Sequence, residues 1–408
     1  MRKAFRLLAA AVCLSALADV AFAASVKMVP AKEGIVMAEG EAQMFSDGYK
    51  VRSVTILYRK KLDPTSVSVD DYYAEGREIK SVSVDGKNVR IFFDCDNIWY
   101  PGDGDQEVNS DIQFSKYVTI TQKGEVSVAG GGTVYTGPAS IQTKKIAEPS
   151  EVKNFMEKLY KDDDTGIEIR YCLYMPLYYT SAWNYPVVIF IPDSRASTNV
   201  SKSTLLQGAG GLVWGSEAEQ DKHKAIVIAI QYPKYSKEQY GPMIKEDGSW
   251  TPVLEAIYRA IRKELSDSRV DRNRYYAVGQ GEGAVANLMI GQRYPGFYAA
   301  QFVMSPTSGL KSVDGLEKEK FWIMVSSNDQ KARGAMDKIV DDWEKDGMGV
   351  ARATWDVDYD EKQFSKAAKE LAKKKGAVKY TVIDGGCHEY TWCIGTGIEE
   401  IRDWLFAQ

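Results

Sequence analysis

Between residues 26 and 143, apolar residues alternate with polar ones in short runs, each closed by turn residues. In "SVSVDGKNVRIFFD", Val82 and Val84 alternate, Asp85-Gly86 supplies a tight turn, and Val89, Ile91 and Phe93 alternate again on one face. That spacing predicts a β-hairpin. "SVTILYRKKLD" and "KYVTITQKGEVSVAGGG" repeat the texture, and no long helical period interrupts it. The expectation for residues 26–143 is an antiparallel β-sandwich.

"TGPASIQTKKIAEPSEVKNF", with Pro138, Pro149 and a lysine pair, marks a boundary, with residues 144–154 as linker. Beyond it the pattern changes. Runs rich in Val, Ile and aromatics ("YPVVIFIP", "KAIVIAIQYP", "NRYYAVG", "FYAAQFVMSP", "KFWIMVSSND", "VKYTVIDGG") alternate with helical stretches. In "TPVLEAIYRAIRKELSDS", Val253, Ile257, Ala260 and Ile261 recur at helical spacing. Strands alternating with helices predict a mainly parallel, doubly wound sheet over residues 155–408. The chemistry of such a sheet belongs at the carboxyl ends of its strands.

Those strand ends carry a pattern. "VVIFIP" empties into "DSRAS", "YYAVG" into "QGEGA", "FWIMV" into "SSNDQ" and "YTVID" into "GGCHEYTW". Gly279, Gln280, Gly281, Glu282 and Gly283 form a strand-to-helix glycine turn, followed in chain order by Asp329 and His388. Nucleophile, acid and histidine follow one another in this order in α/β-hydrolases. Residues 155–408 resemble the carboxylesterase and prolyl-oligopeptidase-like branch of that superfamily, in "TGIEIRYCLYMPLYY", "WNYPVVIFIPDS", "VGQGEGAVA" and "GGCHEYTWCIGTGIEEIRDWLFAQ". Secreted esterases of this branch can carry an immunoglobulin-like domain ahead of the hydrolase domain. The resemblance therefore implies an immunoglobulin-like sandwich, then an α/β-hydrolase domain.

The departures fall on the reacting positions. Where the resemblance implies GxSxG, Gly281 offers no nucleophile. Glycine is tolerable there, because the central residue of such a turn is strained by about 1 to 3 kcal/mol when it is not glycine. The loop after the first of these strands reads Pro192, Asp193, Ser194, Arg195 in place of a His-Gly start. One oxyanion donor is expected from this loop and the other from the Glu282 N–H, with Gln280, Ser194 and Arg195 as further binding candidates. Asp193 and Glu282 would oppose negative charge at the site unless Arg195 neutralises one of them. Asp329, Glu282 and Glu389 crowd His388, and carboxylates nearby favour the imidazolium, a poor general base.

Two readings follow: an esterase- or peptidase-type fold with impaired catalysis that binds an ester, peptide or glycan ligand, or an active ester hydrolase using a non-standard nucleophile or water activated by His388. No metal-type spacing or cofactor motif is present. The net charge of -4 gives no reason to expect nucleic acid. The oligomeric state is not legible.

At the N-terminus, Arg2, Lys3 and Arg6 precede "LLAAAVCLSAL" and an AxA site after Ala23, the arrangement of a signal peptide spanning 1–23. The apolar run is too short to span a bilayer. Export to the periplasm or beyond is expected, leaving Cys95, Cys172, Cys387 and Cys393. Cys387 and Cys393 bracket the His388 loop and are a candidate disulfide.

Overall fold

The computed structural model describes residues 26–45, 48–95, 117–177, 179–180, 182–194, 201–231, 233, 241–245, 247–267, 269–307, 310 and 314–408. Residues 1–23, where a signal peptide is expected, and Arg195 lie outside the described residues.

The anticipated hairpin forms. Ile79–Asp85 runs antiparallel to Asn88–Phe93, Val84 faces Val89, and Gly86 turns the chain at φ 58°. Val89, Ile91 and Phe93 are buried with Val54, Ile56 and Ile120, whereas Val82 and Val84, on the edge strand, are only partly covered. Seven strands form one sheet of this domain and three form another. The pairing is not antiparallel throughout. Ala139–Ala147 lies parallel to Ile35–Phe45, and Lys27–Pro30 parallel to Thr133–Thr136. Each parallel pair joins segments about a hundred residues apart, which a crossover can connect and a tight hairpin cannot.

The linker begins later than expected. Residues 144–147 continue the strand beyond a bulge after Thr143, with Ile146 opposite Gly40 and Ala147 opposite Glu41. Lys145, half of the lysine pair, is 3.3 Å from Glu39 across the sheet. Only 148–154, with the turn Ser150–Asn154, separates the two halves.

The second half is built on β1 (Met156–Lys161), β2 (Glu168–Tyr174), β3 (Tyr185–Ile191), β4 (Ile226–Ile230), β5 (Val270–Gln280), β6 (Ala300–Met304), β7 (Lys320–Ser326), β8 (Val350–Asp356) and β9 (Val378–Asp384). They lie in the order β1-β2-β4-β3-β5-β6-β7-β9-β8. The sheet is mixed: β2 pairs antiparallel with β1 and β4, and the other pairings are parallel.

The helices are α1 (Pro252–Glu264), α2 (Glu282–Arg293), α3 (Gln330–Lys345), α4 (Glu361–Lys373), α5 (Tyr390–Gly395) and α6 (Glu399–Phe406). Thr251 caps α1 by accepting from the Leu254 N–H, and Val253, Ile257, Ala260 and Ile261 are its buried face, as their spacing predicts. Alternation along the strands divides the core. Val188, Phe190, Tyr276 and Val278 pack under α4 and α6, and Val187, Ile189, Tyr275 and Ala277 pack under α1 and α2. Both faces are covered, so only the strand ends are left for chemistry. No helix in the described residues is long and apolar enough to cross a membrane.

Candidate active site

At the carboxyl end of β5 the chain turns at Gly281, with φ 52° and ψ -120°, and enters α2 directly. A side chain here would be held in a backbone region that only glycine adopts without strain. The turn is also tight in space. A Cβ on Gly279 would meet Ala284 Cα at 2.5 Å, and one on Gly283 would meet Ile191 C at 2.6 Å. The Gly281 N–H donates to the Met304 carbonyl at 2.9 Å, fixing the turn against β6. The strand-to-helix turn is thus built closely around three glycines, with no side chain at its centre.

The space is not vacant. A Cβ built on Gly281 would lie 2.9 Å from Asp193 Cγ and 3.3 Å from its Cβ, with Oδ2 nearer still. The carboxylate from the loop after β3 therefore occupies the space that a side chain at position 281 would take. Asp193 is buried, and its N–H donates to Gln207 Oε1 at 3.1 Å. Gln207 follows Leu206, whose carbonyl accepts from the Tyr49 N–H of the first domain at 3.3 Å.

His388 stands between two acids. Its Nδ1 is 2.5 Å from Asp329 Oδ2, and its Nε2 is 4.0 Å from Asp193 Oδ2. Asp329 caps α3, accepting from the Ala332 N–H at 3.0 Å, so the helix fixes the carboxylate that orients the ring. Trp392 of α5 packs edge-on against the ring at 5.0 Å. Burial lowers the histidine's pKa, but the close approach of Asp193, the hydrogen bond to Asp329 and the charges of both outweigh it and push the pKa up to about 9. Burial would raise Asp329, yet its hydrogen bond and attraction to His388, with the Ala332 N–H, hold its carboxyl below the usual range. At neutral pH the arrangement is carboxylate–imidazolium–carboxylate.

The expected residues divide accordingly. Gly281, Asp329 and His388 come together as their chain order predicts, and Asp193 joins them as an occupant rather than as a stray charge. Glu282 opens α2, half-buried, and Ser194 is half-buried just beyond Asp193. Gln280 does not enter the site: it is fully buried, its amide lying against Gly210 beside the Phe190 ring. Among the described residues, the cation beside Asp193 is His388.

Cys387 and Cys393 are thiols, not a disulfide. Cys393 is carried on α5 into the core, whereas Cys387 precedes that helix and is only partly buried.

Ser305 has a role that its sequence context does not signal. At φ 46°, beyond β6, its Oγ donates to the His388 carbonyl at 3.0 Å and lies 3.0 Å from Thr391 Oγ1. It ties the histidine loop to the sheet. Among the described residues no group of three or more His, Cys, Asp or Glu side chains is placed to hold a metal ion.

A solved thermostable esterase shares this architecture, with 18% identity, 91% of this chain and 99% of that chain covered, and a TM-score of 0.67. The fold is that of an esterase-like α/β-hydrolase. The aligned span takes in both halves of the chain. A ferulic acid esterase of Anaeromyces mucronatus (12% identity, 62% and 88% covered, TM-score 0.38) and a poly(3-hydroxybutyrate) depolymerase of Bordetella parapertussis (12%, 61% and 90%, TM-score 0.39) also match. No family model matches the sequence, and no curated protein matches it.

Proposed function

We propose that this chain is an exported α/β-hydrolase-fold protein, led by an immunoglobulin-like domain, that has lost serine hydrolysis. The role left to its cleft is to bind an ester, peptide or glycan ligand without turning it over. The observation that carries this reading is the Asp193 carboxylate in the seat of the Gly281 side chain, paired with a cationic His388. The export assignment rests on residues 1–23, and the domain assignment on two sheets around one core ahead of the hydrolase fold.

Both active alternatives meet a chemical obstacle. If Asp193 attacked an ester carbonyl, the tetrahedral intermediate would expel carboxylate, the better leaving group, before alkoxide, and revert. If His388 activated water, its pKa of about 9 would leave it protonated and unable to take a proton at neutral pH.

Incubation with a fluorophosphonate probe and a short-chain aryl ester tests the proposal. The expected result is no labelling and no turnover above that of the His388→Ala variant. Labelling and turnover that disappear in that variant would overturn it.

A further inference from the structure

At the opposite end of the sheet, a cavity of about 730 Å³ opens beside the start of β7 and β9, below the last turn of α4. Six lysines line it: Lys320, Lys369, Lys373, Lys374, Lys375 and Lys379. In sequence, "KELAKKKG" is a solvated helix end whose lysines complement the helix dipole. The structure adds two lysines from distant strands and a floor that includes Ala372, Ala377 and Trp404.

The balance of charge sets this place apart. Some lysines elsewhere sit against acids, as Lys202 does at 2.9 Å from Glu148 and Lys345 at 3.1 Å from Asp342. Here the two carboxylates at the cavity are engaged elsewhere: Asp403 lies 2.8 Å from His223 Nε2, and Glu400 accepts from Ser365 Oγ. Glu319, next in the chain to Lys320, is buried on Gln301. Lys320, Lys369, Lys373 and Lys375 have no carboxylate partner within the described residues.

Like charges at i and i+4, as for Lys369 and Lys373, weaken a helix by a few tenths of a kcal/mol. Lys379 is 2% exposed, and its ammonium donates to the Lys374 and Gly376 carbonyls. A protein of net charge -4 thus gathers six lysines and only two carboxylates around one cavity, with no lysine–carboxylate ion pair among them.

We propose that this cavity binds clustered phosphate groups. Ammonium groups are compact point charges suited to phosphate oxygens, and the volume lies within the range of small-molecule sites. The phosphates could belong to a soluble polyphosphorylated molecule or to lipid headgroups.

Titration calorimetry of the whole protein with tripolyphosphate tests the site. Expected is saturable binding that weakens steeply with salt. The variant Lys369→Gln/Lys373→Gln/Lys375→Gln should lose about tenfold or more in affinity, since each phosphate contact removed lowers it. Its melting temperature without ligand should stay close to that of the parent, since lost repulsion and lost dipole contacts are of similar size, which separates loss of the site from loss of the fold. A control with three exposed lysines of the first domain changed, Lys27→Gln/Lys87→Gln/Lys123→Gln, should bind as the parent does. No saturable binding at low salt, or an equal loss in the control, would overturn the proposal. Co-sedimentation with phosphatidylglycerol vesicles, displaced by tripolyphosphate and lost in the site variant, would assign the phosphates to headgroups. Tripolyphosphate binding without vesicle binding would assign them to a soluble molecule.

Discussion

The two ends of the nine-stranded sheet handle charge in opposite ways. At the carboxyl ends, His388 is enclosed between Asp193 and Asp329, and the charges answer one another inside the protein. At the amino ends of β7 and β9, six lysines converge on a cavity that only two carboxylates, Glu400 and Asp403, also line. A frame that resembles a hydrolase elbow can therefore be the more closed of the two, and a run that resembles ordinary surface can be the more open. Geometry alone would have pointed to the first end as the place where a ligand acts; charge points to the second as well.

Removal of the central cation should have the largest effect. His388→Ala would leave the buried carboxylates of Asp193 and Asp329 facing one another, a loss of roughly 3 to 5 kcal/mol in denaturant unfolding. A loss under 1 kcal/mol would show that the triad is not an ion-paired unit.

Gly281→Ser comes next. The new Cβ falls on Asp193 and adopts a strained backbone, so a cost of about 1 to 3 kcal/mol or more is expected, with no fluorophosphonate labelling. Adding Asp193→Gly should recover stability and permit labelling. If Gly281→Ser labels as readily alone, the seat is not occupied as described.

The stability profile against pH sharpens the contrast further. His388 has a native pKa of about 9, above its ordinary 6.5. Its contribution is complete below 6.5 and is lost as pH rises through 9. Glu319, at the amino end of β7, is raised by burial from 4.5 to about 7, against the hydrogen bonds from Gln301 and the Tyr298 N–H. It too stabilises the fold at low pH, below 4.5, and loses that contribution as pH climbs through 7. Glu319→Gln should flatten the profile between 4.5 and 7 and leave the alkaline limb to His388. Unfolding midpoints measured from pH 4 to 10 would resolve the two limbs.

The smallest effect belongs to the lysine end. Lys373→Gln should change stability by no more than a few tenths of a kcal/mol at low salt, because relief of the repulsion from Lys369 and loss of the favourable contact with the helix dipole oppose one another, and both fade as salt screens them.

Much of this was legible in the residues. The Val82–Phe93 hairpin, the face of α1 and the chain order Gly281, Asp329, His388 follow from periodicity and from loops after strands, which are local signals. The role of Asp193 was not legible. Its charge could be read beside Gly281, but the carboxylate's entry into the serine's space depends on how the β3 loop approaches the elbow. Ser305 gave no signal because its partners, His388 and Thr391, are more than eighty residues away. The lysine cavity was hidden for the same reason, since Lys320 and Lys379 reach it from other strands. Parallel pairing in the first domain escaped a pattern that records which face is buried but not strand direction.

The most direct test of the closed site is the titration of His388 followed by NMR of its ring nitrogens, with Asp193→Asn as the comparison. An apparent pKa of about 9 in the parent, falling in the variant, is the expected result. A value at or below the ordinary 6.5, unmoved by Asp193→Asn, would contradict the account.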